Sequence, residues 1–196
     1  MKLKSALLAL GLCLSAAGSA LAAPVYYFAN LNGANENPSN LSPGVGTSLL
    51  TIDTLLNTMR VEVMFSGLTG TVTAAHIHCC VAPPGNVAPA SPTPTFPGFP
   101  AGVSSGSYDQ LFDMTFPSSF SAAFVSANGG TAASAFSALV AGLDQGRAYL
   151  NIHSSFRGGG EIRGFFAVPE PGSLALLIGG LGLLTLRSRR SKAAAA

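Results

Sequence analysis

The sequence predicts an all-β domain, an antiparallel β-sandwich or barrel with one or two short helices, over residues 23–168. Three observations carry this. Apolar and polar residues alternate with period two in several short runs. Gly and Pro punctuate those runs at close intervals, as at Gly67, Gly70, Gly106 and 158–160. Charged residues make up only 9% of the 196-residue chain while 48% is hydrophobic, against an average charged share of about 25%. So few charges exclude a disordered acidic or basic protein.

Residues 44–52 and 58–65 flank the turn at 53–57 and read as a hairpin. In its second arm Met59, Val61, Val63 and Phe65 share one face, with Arg60, Glu62 and Met64 on the other. Tyr108, Gln110, Phe112 and Met114 repeat the pattern more weakly, and Ala148, Leu150 and Ile152 oppose Tyr149, Asn151 and His153. Two stretches break the alternation. Residues 83–100 hold seven prolines, which lack the ladder N–H, and must form a loop. Residues 118–143 have helical spacing, through Phe120 and Phe124 and then Ala132, Phe136 and Leu139 to Leu143, with Thr131 as a plausible N-cap.

The ends read as addresses rather than fold. Residues 1–22 combine Lys2 and Lys4, an apolar run at 6–14 that includes Cys13, and Ala20-Leu21-Ala22 as a cleavage site. That is the order of a secretory signal peptide. At the other end Pro169-Glu170-Pro171 precedes an uncharged apolar run at 173–186, then Arg187, Arg189 and Arg190. Such a run rises about 21 Å as a helix, short of the roughly 30 Å hydrocarbon core, so it is a marginal transmembrane segment. The basic cluster holds its far end on the cytoplasmic side. With the terminal cations set aside, four arginines (Arg60, Arg147, Arg157, Arg163) stand against all eight acids. A net acidic middle offers no footprint for nucleic acid.

The three histidines form the one constellation with metal-ligating chemistry. On a strand His76 and His78 project to one side, about 7 Å apart, while Ile77 points into the core. A third imidazole from another strand, His153, would complete a set suited to Cu or Zn. Hydrogen bonds to backbone near a sheet edge would equally occupy all three. Cys80 falls on the histidine side and is a further candidate ligand. Glu161 comes opposite His153 if 149–153 pairs with 161–165, in a register that also sets Asn151 opposite Arg163. There Glu161 either orients the imidazole from behind or forms a plain structural pair. Cys79 and Cys80 are adjacent, and free thiols rarely persist in an oxidising compartment. A vicinal disulfide, an intermolecular bridge and thiolate ligation all remain open. The vicinal bond requires the strand to end there.

Two resemblances add to this reading. Pro169-Glu170-Pro171, the apolar span and the arginine cluster resemble a PEP-CTERM sorting signal over the last 25 or so residues. That resemblance implies export across the inner membrane of a Gram-negative-type bacterium, transient insertion there, and processing by an exosortase in cells that make extracellular polysaccharide. Leu31-Asn32-Gly33-Ala34-Asn35-Glu36-Asn37-Pro38, Ala75-His76-Ile77-His78 and Ala148-Tyr149-Leu150-Asn151-Ile152-His153 with Gly160-Glu161-Ile162-Arg163-Gly164 resemble the CHRD domain. This implies an immunoglobulin-like β-sandwich, distantly similar to superoxide dismutases, without an established activity. The Pro-rich insertion after Cys80 and Phe156-Arg157, where bacterial members often have Phe-Pro, depart from that pattern. The expected function is a cell-surface or extracellular-matrix structural or binding domain, and no enzyme, since no serine sits in a nucleophile elbow. A Cu- or Zn-binding, redox-type domain is the alternative.

Overall fold

The computed structural model describes residues 23–168; the signal peptide and the sorting signal read from the sequence lie outside them. Seven strands form: β1 (Val25–Asn32), β2 (Val45–Asp53), β3 (Thr58–Ser66), β4 (Val72–Cys79), β5 (Gly106–Asp113), β6 (Ala148–Ser154) and β7 (Ile162–Phe165). All are antiparallel, in the order β4-β6-β7-β1-β2-β3-β5. They make one curled, hydrogen-bonded sheet rather than two separate layers. The reason is a narrow seam: β7 meets β1 through Asn32 and Arg163, and the bridge Phe28–Ala167 continues it. β4-β6-β7 on one side of that seam and β1-β2-β3-β5 on the other curl around a common core.

The predicted hairpin is β2–β3, paired in one register from Val45–Ser66 to Asp53–Thr58. Met59, Val61, Val63 and Phe65 are buried along β3, as are Tyr27, Ala29 and Leu31 along β1. Their alternate neighbours Tyr26, Phe28 and Met64 face solvent, as one-sided sheets require. β6 lies between β4 and β7, and every one of its side chains but His153 is buried. Its period-two pattern therefore marks two different interiors, an apolar one and a polar one.

Two short helices, α1 (Ala122–Ala127) and α2 (Ala132–Asp144), account for the helical spacing. Thr131 caps α2, and its hydroxyl and that of Ser134 bond each other's backbone amides in a capping box. Ala132, Ala135, Phe136, Leu139, Gly142 and Leu143 form the buried stripe of α2. Tyr27 of β1 donates to Asp144 at 2.6 Å and holds its far end to the sheet. Among the described residues no helix is long and apolar enough to cross a membrane.

The Pro-rich segment is a loop, as expected, but an ordered one with a structural task. It runs along the free edge of β4, where the amides of Ala90 and Phe96 donate to the carbonyls of Ile77 and Ala75. Ser91 accepts from the amide of Ile77, and Phe96 is wholly buried. Proline suits this role because the segment needs only a few N–H groups, spaced to meet an edge.

Glu161 anchors the start of β7. Its carboxylate takes hydrogen bonds from the hydroxyls of Ser42 (2.5 Å) and Ser154 and from the amides of Thr69 (2.5 Å) and Gly70 (3.1 Å). Burial alone would raise this carboxyl, but those four donors outweigh it and hold it below its ordinary 4.5. A depressed folded value contributes stability that is complete above the unfolded value and is lost as pH falls below it. Glu161→Gln is therefore expected to lower stability by about 3 kcal/mol at pH 7, since it loses charge-assisted bonds. Urea titrations should show the gap between wild type and variant closing as pH drops below 4.5. A gap that does not change with pH would mean that the charge contributes nothing.

Candidate functional site

One face of β4-β6-β7 is apolar, built from Ala75, Ile77, Cys79, Ala148, Leu150, Ile152 and Ile162. The other carries the polar and aromatic side chains in cross-strand rows. His78 pairs with Tyr149 and Tyr149 with Phe165; His76 pairs with Asn151 and Asn151 with Arg163; Ala74 pairs with His153. Opposite residues share a face, so strand alternation alone delivers all three histidines to one side. The small Ala74 leaves room for His153 to lean towards His76.

The three imidazoles converge. Their ring centroids are 5.2 Å (His76–His153), 5.7 Å (His76–His78) and 6.0 Å (His78–His153) apart, and one nitrogen from each lies within 4.8 Å of the others. The outer nitrogens are all engaged. His76 Nε2 is 2.7 Å from the Pro94 carbonyl, His78 Nδ1 is 2.7 Å from that of Val87, and His153 Nδ1 is 2.9 Å from that of Gly158. A carbonyl oxygen only accepts, so each of these nitrogens carries the proton. The lone pairs of the neutral rings then sit on His76 Nδ1, His78 Nε2 and His153 Nε2, the three inner atoms.

The rings are held neutral. Burial pushes His76 down, and a proton on the neighbouring His153 would push it further; burial pushes His78 down to about 4; burial also lowers His153. In that state His76 Nδ1 and His153 Nε2 face each other at 3.2 Å with no proton to share. His78 Nε2 is buried and has no hydrogen-bond partner, and the same holds for Asn151 Oδ1 on the same face. Native proteins rarely leave buried acceptors in this condition. A cation bound by all three nitrogens would give His78 Nε2 a partner and occupy the facing lone pairs of His76 and His153. Tetrahedral zinc bonds of about 2.0–2.1 Å put ligand nitrogens roughly 3.3 Å apart. The His76–His153 pair already has that spacing, and His78 offers its nitrogen within 4.8 Å of both.

The remaining candidates fall elsewhere. Cys80 is joined to Cys79 in a vicinal disulfide, and β4 ends at Cys79 as that bond requires. Its sulfur is committed there, so the cluster contains no thiolate. Glu161 follows the expected register, in which Asn151 does pair with Arg163, but its carboxylate is occupied by the four donors described above and not by an imidazole. It acts as a fold anchor, not as an orienting partner of His153. That orienting role belongs to three backbone carbonyls, which no side-chain pattern announces. The glycine run at 158–160 was the available signal for one of them. Gly160 has φ +133° and packs against the Asn151 amide, where a Cβ would collide, and this turn carries the Gly158 carbonyl to His153.

The disulfide packs on α2 at Gly142, where a Cβ would strike both sulfurs. Gly142→Ala is expected to cost about 1–3 kcal/mol through overpacking, read as a lower Tm under oxidising conditions. Unreduced peptide mapping of the wild type should place Cys79 and Cys80 in one cross-linked fragment. An unchanged Tm would show that the sulfurs do not rest on this helix.

A family model, the CHRD domain, matches residues 27–166, which include all seven strands' cores and the three histidines. No curated protein and no solved structure matches the chain.

Proposed function

The chain belongs to the CHRD domain family, and from that premise we propose that it is an extracellular binding domain organised around a three-histidine Cu or Zn centre. The family suggests an extracellular binding or structural domain. What supports the metal is one observation: His76, His78 and His153 turn three lone pairs toward a common point while three carbonyls hold the outer N–H groups away from it. Metal binding needs neutral imidazoles, and burial supplies them. The ligand set stops at three nitrogens, which leaves a position on the metal for water or a ligand.

On this reading the domain is a binding or structural module rather than an enzyme. Its delivery follows the terminal signals: export through the signal peptide at 1–22, transient anchoring at 173–186, and release by an exosortase-type enzyme near Pro169-Glu170-Pro171. The destination is the cell surface or the extracellular matrix, with extracellular polysaccharide as a candidate partner. The finer fold class, an immunoglobulin-like or superoxide-dismutase-like sandwich, is supported by the curl of the sheet about the β1–β7 seam.

Protein purified after growth with both ions should hold about one Cu or Zn per chain. His76→Ala/His78→Ala should lose the metal and keep its β-sheet circular dichroism. No metal above background in wild type would overturn the proposal. Delivery has its own test: intact mass from the native envelope should lack residues beyond about Pro171, and a mass that still includes 174–196 would show a permanent anchor instead.

A further inference from the structure

Arg163 is wholly buried on the histidine-bearing face of the sheet. Its Nε donates to the Asn35 carbonyl at 2.5 Å, Nη2 to the Pro84 carbonyl at 2.8 Å, and Nη1 to Asn86 Oδ1 at 2.6 Å and the Gly85 carbonyl at 3.4 Å. All four acceptors are neutral. The one carboxylate beside it, Glu36, stands 3.8 Å from Nε without a hydrogen bond. The guanidinium charge is thus well solvated by the protein but only partly neutralised.

This charge is built into the neighbourhood of the histidines. The Arg163 Cζ lies 4.8 Å from the centroid of the Tyr149 ring. Tyr149 in turn stacks face to face on His78, with centroids 4.8 Å apart and planes within 1° of parallel. β6 lies between β4 and β7, so Tyr149 stands between the cation and the imidazole. Both ring and guanidinium are buried, which keeps water from screening the field along this path.

Three neutral imidazoles cancel none of the charge on an ion that they bind. An ion of charge +2 therefore meets twice the repulsion from Arg163 that an ion of charge +1 meets. We propose that Arg163 is the specificity-determining residue of the three-histidine centre, biasing it towards Cu(I) over Cu(II) and Zn(II). This rests on the metal reading above. For charges roughly 10 Å apart at an effective dielectric constant near 20, each unit of ion charge changes affinity on the order of ten-fold. Glu36 offsets part of that effect.

The test is the ratio of Cu(I) to Cu(II) affinity of the purified full-length protein at pH 8. Cu(I) is supplied with ascorbate and a competing chelator under anaerobic conditions, and the midpoint potential of the loaded protein gives a second reading. Glu36, which burial raises to about 7, is ionised at that pH. Arg163→Gln should lower the ratio about ten-fold, equivalent to about 59 mV for a one-electron couple, and Arg163→Lys should restore it. Glu36→Gln should move the ratio several-fold the other way, because it unmasks the cation. A role confined to packing would not give opposite signs in the two variants. If Arg163→Gln fails to fold, Glu36→Gln decides: a rise supports the proposal, and no change or a fall overturns it. A folded Arg163→Gln protein with an unchanged ratio overturns it while the metal centre stands. A wild type that binds neither copper ion overturns the metal centre and this inference with it.

Discussion

A carbonyl oxygen can accept a hydrogen bond but cannot donate one, and this chain sets such an oxygen against the outer nitrogen of each histidine. From that constraint the rest of the site follows. The protons sit outside, the lone pairs sit inside, and burial pushes all three rings towards their neutral form. Two neutral imidazoles in contact can share a hydrogen bond only if one of them turns an N–H towards the other. Here the 3.2 Å approach of His76 to His153 has no such donor, and a bound cation is the simplest way to complete it.

The three carbonyls come from parts of the chain with nothing else in common. Val87 and Pro94 belong to the Pro-rich loop, and Gly158 to the glycine-rich turn between β6 and β7. The loop can reach the imidazoles because β4 is the edge strand, with free amide and carbonyl groups at Ala75 and Ile77 for it to bond. An edge is ordinarily a liability for aggregation; here its cover also sets the tautomers of His76 and His78. Behind the site, Tyr149 and Arg163 form a second layer, and the loops at 33–36 and 84–86 close over the guanidinium through their carbonyl groups. The Pro-rich loop is thus integral to the site.

Much of this was legible in the residues. The alternation in 58–65 places Met59, Val61, Val63 and Phe65 inward, and Thr131 caps the helix it was expected to cap. Strand periodicity put His76 and His78 on one side, and pairing 149–153 with 161–165 gave the register of Asn151 with Arg163 that the sheet adopts. Side-chain patterns cannot reveal backbone acceptors, so the origin of the histidine tautomers was invisible. The same limit hid the partners of Glu161, two of which are amides of the segment before β4. For Arg163 the sequence supplied the place opposite Asn151 but not the burial, because the loops that enclose its guanidinium bond it through backbone carbonyls.

Imidazole ¹⁵N chemical shifts read directly where the protons and lone pairs of the three rings lie. They should show N–H protons on His76 Nε2, His78 Nδ1 and His153 Nδ1, and Zn(II)-induced shifts confined to His76 Nδ1, His78 Nε2 and His153 Nε2. An N–H proton on one of those inner nitrogens, bridging His76 and His153, with no response to Zn(II), would contradict this arrangement.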